Sequence, residues 1–232
     1  LYPARIVSLL FSDVPGNNMS VIASGPTVKD TTTMDDVKKT LETFSIDSAI
    51  VTAEDFQDTV TDDKYFTNVS NFIMVSNMTA LSAMEEKANE LGVKPRIYSD
   101  KFQGDAKVVG EQLIRETQAN EVLLVGGETT VKVTGSGKGG RNQTLVLAAL
   151  PFVKDDTLIV SFDSDGMDMY HFAGAIGDKE TVATAQKLGL DEKAYLDDDN
   201  SYEFFDKTGD GIWTDKLESN VSDLMIVAKI TV

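Results

Sequence analysis

The chain has 232 residues and a formal net charge of -17, with 38 acidic and 21 basic side chains. It has no cysteine and one histidine, which excludes disulfides, thiolate metal sites and any site with two histidine ligands. An acidic surface repels nucleic-acid phosphates, and no stretch approaches the roughly 20 apolar residues that a membrane helix needs. No secretion signal is visible, so a cytoplasmic location is expected.

The first half of the chain alternates predicted strands and helices. Runs of branched apolar residues predict strands at 4–11, 71–75, 96–98 and 121–125. Apolar spacing and capping residues predict helices at 34–44, 78–91 and 105–118, with a further short helix at 53–61. Thr33 precedes the first of these helices as an N-cap. This alternation is typical of an α/β fold with a largely parallel sheet.

The second half differs in character, and the boundary is predicted near residues 118–121. A polar, alternating stretch at 129–134 predicts an exposed or edge strand. A glycine-dense turn follows at 135–140, and an apolar run predicts a helix at 141–150. The remaining predicted elements are a strand at 157–162, a helix at 179–188, a short helix at 201–207 and a closing strand at 224–230.

The glycine-dense turn is the strongest local signal in the chain. Four of the six residues from Gly135 to Gly140 are glycines, which permit close approach of the backbone to a ligand. Lys132, Lys138 and Arg141 place three positive charges within ten residues, and the free N–H groups of a helix start favour an anion. We interpret this stretch as an anion site for a phosphate or a carboxylate.

The same turn formally matches the Gly-x-Gly-x-x-Gly fingerprint of dinucleotide-binding proteins through Gly135, Gly137 and Gly140. The strand before it is polar rather than buried, and no acidic residue closes a second strand about twenty residues further on. A Walker A loop is excluded because Lys138 is followed by glycine. The pattern therefore disfavours a nucleotide loop of either of these two kinds.

Several carboxylates have two open interpretations. Asp163, Asp165 and Asp168 follow a predicted strand, where they could hold Mg²⁺ or form an ordinary turn. Glu128 is either a solvated charge or an orienting partner for Arg141. The turns at 12–18 and 24–27 are most simply surface loops. A structural role is expected for His171.

Several motifs, taken in order, resemble the glycerate 2-kinase family, whose C-terminal part is called the MOFRL domain. The most specific match combines Gly126-Gly127-Glu128-Thr129-Thr130-Val131 with the turn at 135–143. The others are Ser12-Asp13-Val14-Pro15-Gly16, Ser24-Gly25-Pro26-Thr27, Asp165-Gly166, Ala173-Gly174-Ala175 and Asn220-Val221. Asp168-Met169 and His171-Phe172 stand where the family usually shows a second Asp-Gly and an Asp.

The resemblance implies an α/β fold in two parts. Residues 1–119 would be the end portion of a Rossmann-like, parallel-sheet domain on the nucleotide side, and residues 120–232 a second, smaller α/β domain, the MOFRL domain. The implied activity is ATP- and Mg²⁺-dependent phosphorylation of D-glycerate at its 2-hydroxyl, which gives 2-phosphoglycerate.

The family's functional positions map onto three groups of residues here. Arg141, Glu128 and Asp13 are expected to be catalytic, and Asp165 and Asp168 are expected to bind the metal. The residues expected to bind substrate or phosphate are Ser24, Gly25, Thr27, Gly137, Lys138, Gly139, Gly140, Asn142 and Asn220.

The expected partners are a small-molecule substrate (glycerate), a nucleotide and a second copy of the chain in a homodimer; neither nucleic acid nor a membrane is expected. Family members carry roughly as much chain again before the position of Leu1, so this fragment alone is expected to be inactive. The alternatives are an NAD(P)-dependent hydroxypyruvate reductase and a non-catalytic fragment for ligand binding or dimerisation.

Overall fold

The computed structural model describes residues 2–47 and 49–230. Contacts among residues divide the chain into two compact units. The first unit comprises residues 1–10 and 18–74, and the second comprises residues 11–17 and 75–232. The boundary predicted near residues 118–121 is not one of these divisions, and it stays a prediction.

The first unit is built on a two-stranded sheet and one helix. Strands β1 (Ile6–Phe11) and β2 (Val69–Val75) pair in parallel, and the N–H of Ile6 donates to the carbonyl of Asn68 at 2.9 Å. Helix α1 (Met34–Thr43) begins at the predicted N-cap, Thr33, which forms a reciprocal capping box with Asp36. The helix predicted at 53–61 is wrong, because only a 3-10 turn at Ala53–Asp55 forms there. That segment lacks helical apolar spacing and is rich in β-branched residues.

The second unit contains a six-stranded mixed sheet in the order β3-β4-β8-β5-β6-β7. Its strands are β3 (Pro95–Asp105), β4 (Glu121–Thr130), β5 (Thr157–Asp163), β6 (Gly174–Gly177), β7 (Gly211–Ile212) and β8 (Asp223–Lys229). Strands β3 and β4 are parallel, and the other neighbouring pairs are antiparallel. The α/β class is confirmed, but this sheet is mixed because the closing strand β8 inserts antiparallel between β4 and β5.

Six helices accompany this sheet in the described part of the second unit. They are α2 (Asn77–Glu90), α3 (Ala106–Glu116), α4 (Arg141–Ala149), α5 (Lys179–Leu188), α6 (Glu192–Asp197) and α7 (Ser201–Thr208). The helices predicted at 78–91, 105–118, 141–150 and 179–188 are confirmed within two residues at each end. No helix in the described ranges is both long and apolar enough to cross a membrane.

The core of the second unit lies on both faces of β4. Leu123 and Val125 pack into a cluster with residues of α3, α4 and α7, whereas Val122 and Leu124 pack into a second cluster with Leu81 of α2. Strand β4 is therefore a buried, central strand. The edge strand predicted at 129–134 is wrong, because β4 ends at Thr130 and the chain then leaves the sheet. Glu128 consequently lies near the end of a rigid strand.

Candidate functional site

Helix α4 begins with Arg141, whose guanidinium lies among three carboxylates. Nε of Arg141 lies 2.7 Å from Oδ2 of Asp223, and Nη2 lies 2.9 Å from Oδ2 of Asp163. Nη2 also donates to Oδ1 of Asp223 at 3.0 Å, and Nη1 lies 3.2 Å from Oε1 of Glu128. Asp163 and Asp223 lie opposite each other on β5 and β8, and Glu128 comes from β4. Three strand ends therefore orient this arginine.

Burial controls the electrostatics of this group. Asp223 is fully buried, and burial raises its pKa while hydrogen bonds from Arg141 oppose the rise. Burial also raises the pKa of Asp163, to about 6, with a further contribution from the negative charge of Asp223. Burial alone would lower the pKa of Arg141, but the hydrogen bonds and charge of Asp223 outweigh it and the pKa is raised. The guanidinium is therefore always charged.

Asp168 caps helix α4. Its Oδ1 accepts hydrogen bonds from the backbone N–H and the side-chain amide of Asn142 at 3.0 and 3.2 Å. Its Oδ2 accepts the equivalent pair from Gln143, both at 3.0 Å. Burial raises the pKa of Asp168, and these four donors oppose the rise. The carboxylate satisfies two backbone donors of the first helical turn, so the position of α4 depends on it.

The predicted metal ligands, Asp165 and Asp168, find no support in this geometry. Both oxygens of Asp168 are occupied by the cap, and Oδ1 of Asp165 accepts a hydrogen bond from the N–H of Met167 at 2.8 Å. Within residues 2–47 and 49–230, no cluster of three or more His, Cys, Asp or Glu side chains could hold a metal ion. Their assignment as metal ligands stays a prediction.

The glycine turn, defined here as residues 134–140, is tied to the segment between α6 and α7. Its five consecutive backbone N–H groups from Thr134 to Lys138 donate to Asp198, Asp199 and Asn200, at 2.6 to 3.1 Å. These five groups are not free to bind an anion, contrary to the interpretation of the turn as an open cradle. By contrast, the N–H groups of Gly139, Gly140 and Arg141 donate no hydrogen bond within the described part of the chain.

Close packing explains why this turn is rich in glycine. A Cβ atom at Gly135 would lie 2.2 Å from the carbonyl carbon of Asp198, and one at Gly137 would lie 2.4 Å from Cβ of Asn200. A Cβ atom at Gly140 would lie 2.1 Å from Oδ2 of Asp168. Contacts this short are not tolerated. Only glycine at these positions lets the turn pack this closely against the neighbouring residues.

A cavity of about 510 Å³ lies beside the turn and the start of α4. Glu128 and Thr129 line it from the end of β4, and Lys138 and Arg141 supply its two positive charges. Nζ of Lys138 lies 5.2 Å from the centroid of the Tyr170 ring, which forms part of the wall. Glu128, Asp168 and Asp199 also line the cavity, so the lysine, the arginine and the free N–H groups that suit a small anionic ligand stand beside three carboxylates.

Three other predicted residues of the second unit, Asp13, Asn142 and Asn220, have contacts of their own. The Asn220 side-chain amide donates to Oδ2 of Asp13 at 3.4 Å, which brings these two predicted residues together. Asn142 is fully buried; its amide donates to Asp223 at 2.9 Å, and its carbonyl accepts a hydrogen bond from the hydroxyl of Ser161. Asn142 therefore supports the carboxylates around Arg141 rather than the cavity.

Ser24, Gly25 and Thr27 lie in the first unit. Ser24 and Gly25 line a cavity of about 640 Å³ together with hydroxyl-bearing side chains that include Ser20, Thr31 and Thr32. The hydroxyl of Thr27 donates to the side-chain carbonyl of Asn71 at 2.6 Å. Ala23, Ser24 and Gly25 have φ values of 49°, 62° and 59°, a left-handed run that costs free energy at the two non-glycine positions.

Sequence reasoning missed Asp223 and Asp199, and each makes several contacts in the second unit. The available signal for Asp223 was an acidic residue at the first position of an apolar strand. Asp199 is the last of three consecutive acidic residues, and nothing local in that stretch distinguishes it. His171 stacks on Trp213 with ring centroids 5.2 Å apart, which agrees with its expected structural role.

The fold and this site define an α/β protein with a MOFRL region: residues 121–223 match the MOFRL family, and residues 1–54 match a domain of unknown function, DUF4147. The chain is 36% identical to a glycerate 2-kinase of Pyrococcus horikoshii over 95% of its own length and 55% of the relative. It is 32% identical to a D-glycerate 2-kinase of Thermotoga maritima, over 97% and 57% of the two lengths.

A solved structure agrees with these relatives. The crystal structure of a glycerate kinase from Thermotoga maritima superposes with a TM-score of 0.82 at 29% identity, covering 98% of this chain and 58% of that one. These similarities confirm the resemblance to glycerate 2-kinases that the motifs indicated. It spans little more than half the length of these relatives.

Proposed function

We propose that this chain takes part in the phosphorylation of D-glycerate at its 2-hydroxyl, with ATP as the phosphoryl donor and 2-phosphoglycerate as the product. The observation that carries the proposal is Arg141: a guanidinium fixed by three carboxylates at a helix start, beside a cavity of about 510 Å³. Phosphoryl transfer depends mainly on positioning and on neutralising charge, and this arrangement supplies both.

The contacts of Arg141 suggest how it would act. Nε and Nη2 are held by Asp223 and Asp163, whose side chains are 0% and 11% exposed. Nη1 contacts Glu128, which is 45% exposed and lines the cavity. We propose that Nη1 binds the glycerate carboxylate or the transferred phosphoryl group, and that Glu128 orients the guanidinium until a ligand arrives.

The remaining roles follow from position. We propose that Lys138 attracts the anionic substrate to the same cavity, aided by the N–H groups of Gly139 and Gly140. Asp13 and Asn220 are retained as proposed site residues, as Ser24, Gly25 and Thr27 are for phosphate in the first unit. Among the described residues no group of three or more His, Cys, Asp or Glu side chains could hold a metal ion, and we derive no step from Mg²⁺.

The direct test measures ADP release from ATP with D-glycerate and identifies the product by phosphorus NMR. Arg141→Ala should lower kcat/KM at least ~10²-fold, as loss of one transition-state charge contact typically does. Arg141→Lys should recover part of the loss, because lysine keeps the charge but not the planar fork. Arg115→Ala, which removes a 74% exposed arginine of α3, is the control and should be neutral.

Two results would contradict this proposal in different ways. Near-normal turnover by Arg141→Ala would remove Arg141 from the site. A folded wild-type chain that neither releases ADP with glycerate nor binds glycerate by calorimetry would refute the function for this chain. Binding without turnover would instead support the non-catalytic alternative, in which the chain binds ligand but lacks part of the machinery.

An assay of NADH oxidation in the presence of hydroxypyruvate would distinguish a hydroxypyruvate reductase from a glycerate kinase. The structure disfavours the reductase, because the N–H groups of Gly135 and Gly137 donate to Asp199 and Asp198. A dinucleotide pyrophosphate would need such groups free. The homodimer stays a prediction, and sedimentation velocity of the purified chain would test it.

A further inference from the structure

The acidic segment Asp198–Asn200, which connects α6 to α7, binds the glycine turn along most of its length. Asp198 accepts hydrogen bonds from the N–H of Ser136 at 2.9 Å with its side chain and from the N–H of Gly137 at 2.8 Å with its backbone carbonyl. Asn200 accepts from the N–H of Lys138 at 3.1 Å. The backbone N–H groups of residues 134–138 therefore bond to this segment instead of to a neighbouring strand.

Asp199 makes the most contacts of the three residues. Its Oδ2 accepts from the N–H groups of Thr134 and Gly135 at 2.6 and 2.7 Å, and its Oδ1 lies 2.6 Å from Nζ of Lys107 on α3. It is 7% exposed and adopts a left-handed backbone with φ of 54°. Burial would raise its pKa, but Lys107 and the two N–H groups outweigh it and lower the pKa to about 2. Asp199 is therefore ionised near neutral pH.

The turn that Asp199 holds forms part of the cavity wall, and Asp199 itself lines the same cavity. Lys138 lies three residues after Gly135, and its carbonyl accepts a hydrogen bond from the N–H of Tyr202, at 2.8 Å. Arg141 follows three residues later as the first residue of α4. The glycines between them provide little stiffness of their own, so the path of the backbone depends on these outside contacts.

We propose that Asp199 is a positioning residue, which holds the backbone of the glycine turn in place so that Lys138 and Arg141 present their charges to one cavity. The proposal rests on the proposed function for its activity readout. A misplacement of about 1 Å at a reacting centre can cost 10²-fold in rate, so loss of these contacts should be measurable in kcat/KM.

The test compares Asp199→Ala, Asp199→Asn and Lys107→Met with a matched ion pair elsewhere. Arg96→Met breaks the pair between Arg96 and Glu121, which is 2.7 Å long with a 2% exposed Glu121 side chain at the opposite end of β4. All variants are assayed where circular dichroism shows them fully folded. Asp199→Ala should lower kcat/KM about 100-fold, whereas Arg96→Met should change it less than about threefold although its melting temperature falls.

The conservative variants test the mechanism. Asparagine keeps an oxygen that can accept both N–H groups, so Asp199→Asn should retain more activity than Asp199→Ala. Lys107→Met should resemble Asp199→Asn, because it leaves the contacts to the turn in place. Equal kcat/KM values for Asp199→Ala and Arg96→Met would overturn the proposal, since a merely structural role affects stability alone.

A second readout separates this proposal from the proposed function. If wild-type protein neither binds nor phosphorylates glycerate, the function fails but the positioning claim is still judged by NMR. Asp199→Ala should accelerate amide exchange at residues 134–138 at least tenfold and shift the Nε–H resonance of Arg141, and Arg96→Met should do neither. An unchanged Arg141 resonance in folded Asp199→Ala would overturn the claim.

Discussion

Arg141 carries one positive charge, but its guanidinium contacts three carboxylates, those of Glu128, Asp163 and Asp223. Removing Asp223 would take away the closest of these partners, and Asp163 and Glu128 would still balance the charge of Arg141. Asp223 alone would balance the charge of Arg141, and Asp163 adds a second buried carboxylate beside it. This excess of negative charge makes the site sensitive to pH.

The pKa of Asp163 predicts the direction of that sensitivity. In the folded chain its pKa is about 6, above the ordinary value of 3.8, so between these pH values the folded state binds a proton that the unfolded state has lost. Its contribution to stability therefore falls as the pH rises from about 4 to about 6, by an amount on the order of 1–3 kcal/mol. Asparagine does not titrate.

Asp163→Asn should therefore become more stable relative to wild type as the pH rises from 4 to 8. Denaturant titrations of both proteins across this range measure the difference in unfolding free energy. Asp155→Asn, at an exposed position before β5, is the control for the loss of one surface charge. A difference between Asp163→Asn and wild type that stays flat across the range would contradict the assignment.

Arg141 could be proposed as a site residue from the sequence because a basic residue at a helix start stands out in an acidic chain, and this assignment stays a prediction. The sequence could not predict Asp223, because the pairing of β8 with both β4 and β5 is a long-range event that brings Asp223 opposite Asp163. That pairing determines how deeply both carboxylates are buried and which charges lie beside them. These two factors set the pKa of each carboxylate. Local pattern carries no information about the pairing.

At the scale of elements, the glycine turn is where sequence reasoning and structure differ most. Glycine density was interpreted as room for a ligand, but the room is filled by Asp198, Asn200 and Asp168. The helices were predicted well, because capping residues and apolar spacing are local signals. The partner of the turn is more than sixty residues away, at 198–200, and no local rule could identify it.

Gly135→Ala should show that packing, rather than backbone freedom, requires glycine in this turn. The added methyl would lie 2.2 Å from the Asp198 backbone, so we expect a loss of about 1–3 kcal/mol of stability as the segment is displaced. Ser136→Ala is the neighbouring control: it keeps the N–H bond to Asp198 and should cost less than about 1 kcal/mol. Thermal or denaturant unfolding measures both, and equal effects would contradict the packing explanation.

At the scale of the whole molecule, the two units differ in how much apolar surface they bury. Among the described residues, the first unit contributes one buried apolar side chain, Ile22, whereas the second contributes the clusters on both faces of β4. In β1, Val7 and Leu9 are 55% and 59% exposed, and Phe72 of β2 is 53% exposed. The alternate residues of β1 are half-buried, so only one face of this two-stranded sheet is covered, and such a sheet is marginally stable in water.

Amide hydrogen exchange followed by mass spectrometry should therefore show two levels of protection. Peptides from β1 and β2 should exchange at least about 100-fold faster than those from β4 and β8, because local opening of the first unit breaks few buried contacts. All four strands are measured in the same sample, at a low protein concentration that disfavours association of the chain with itself. Equal protection of β1 and β4 would contradict the prediction. If that protection then declined on dilution, the result would indicate that a second copy of the chain covers Val7, Leu9 and Phe72. These side chains would then form the interface of the predicted homodimer.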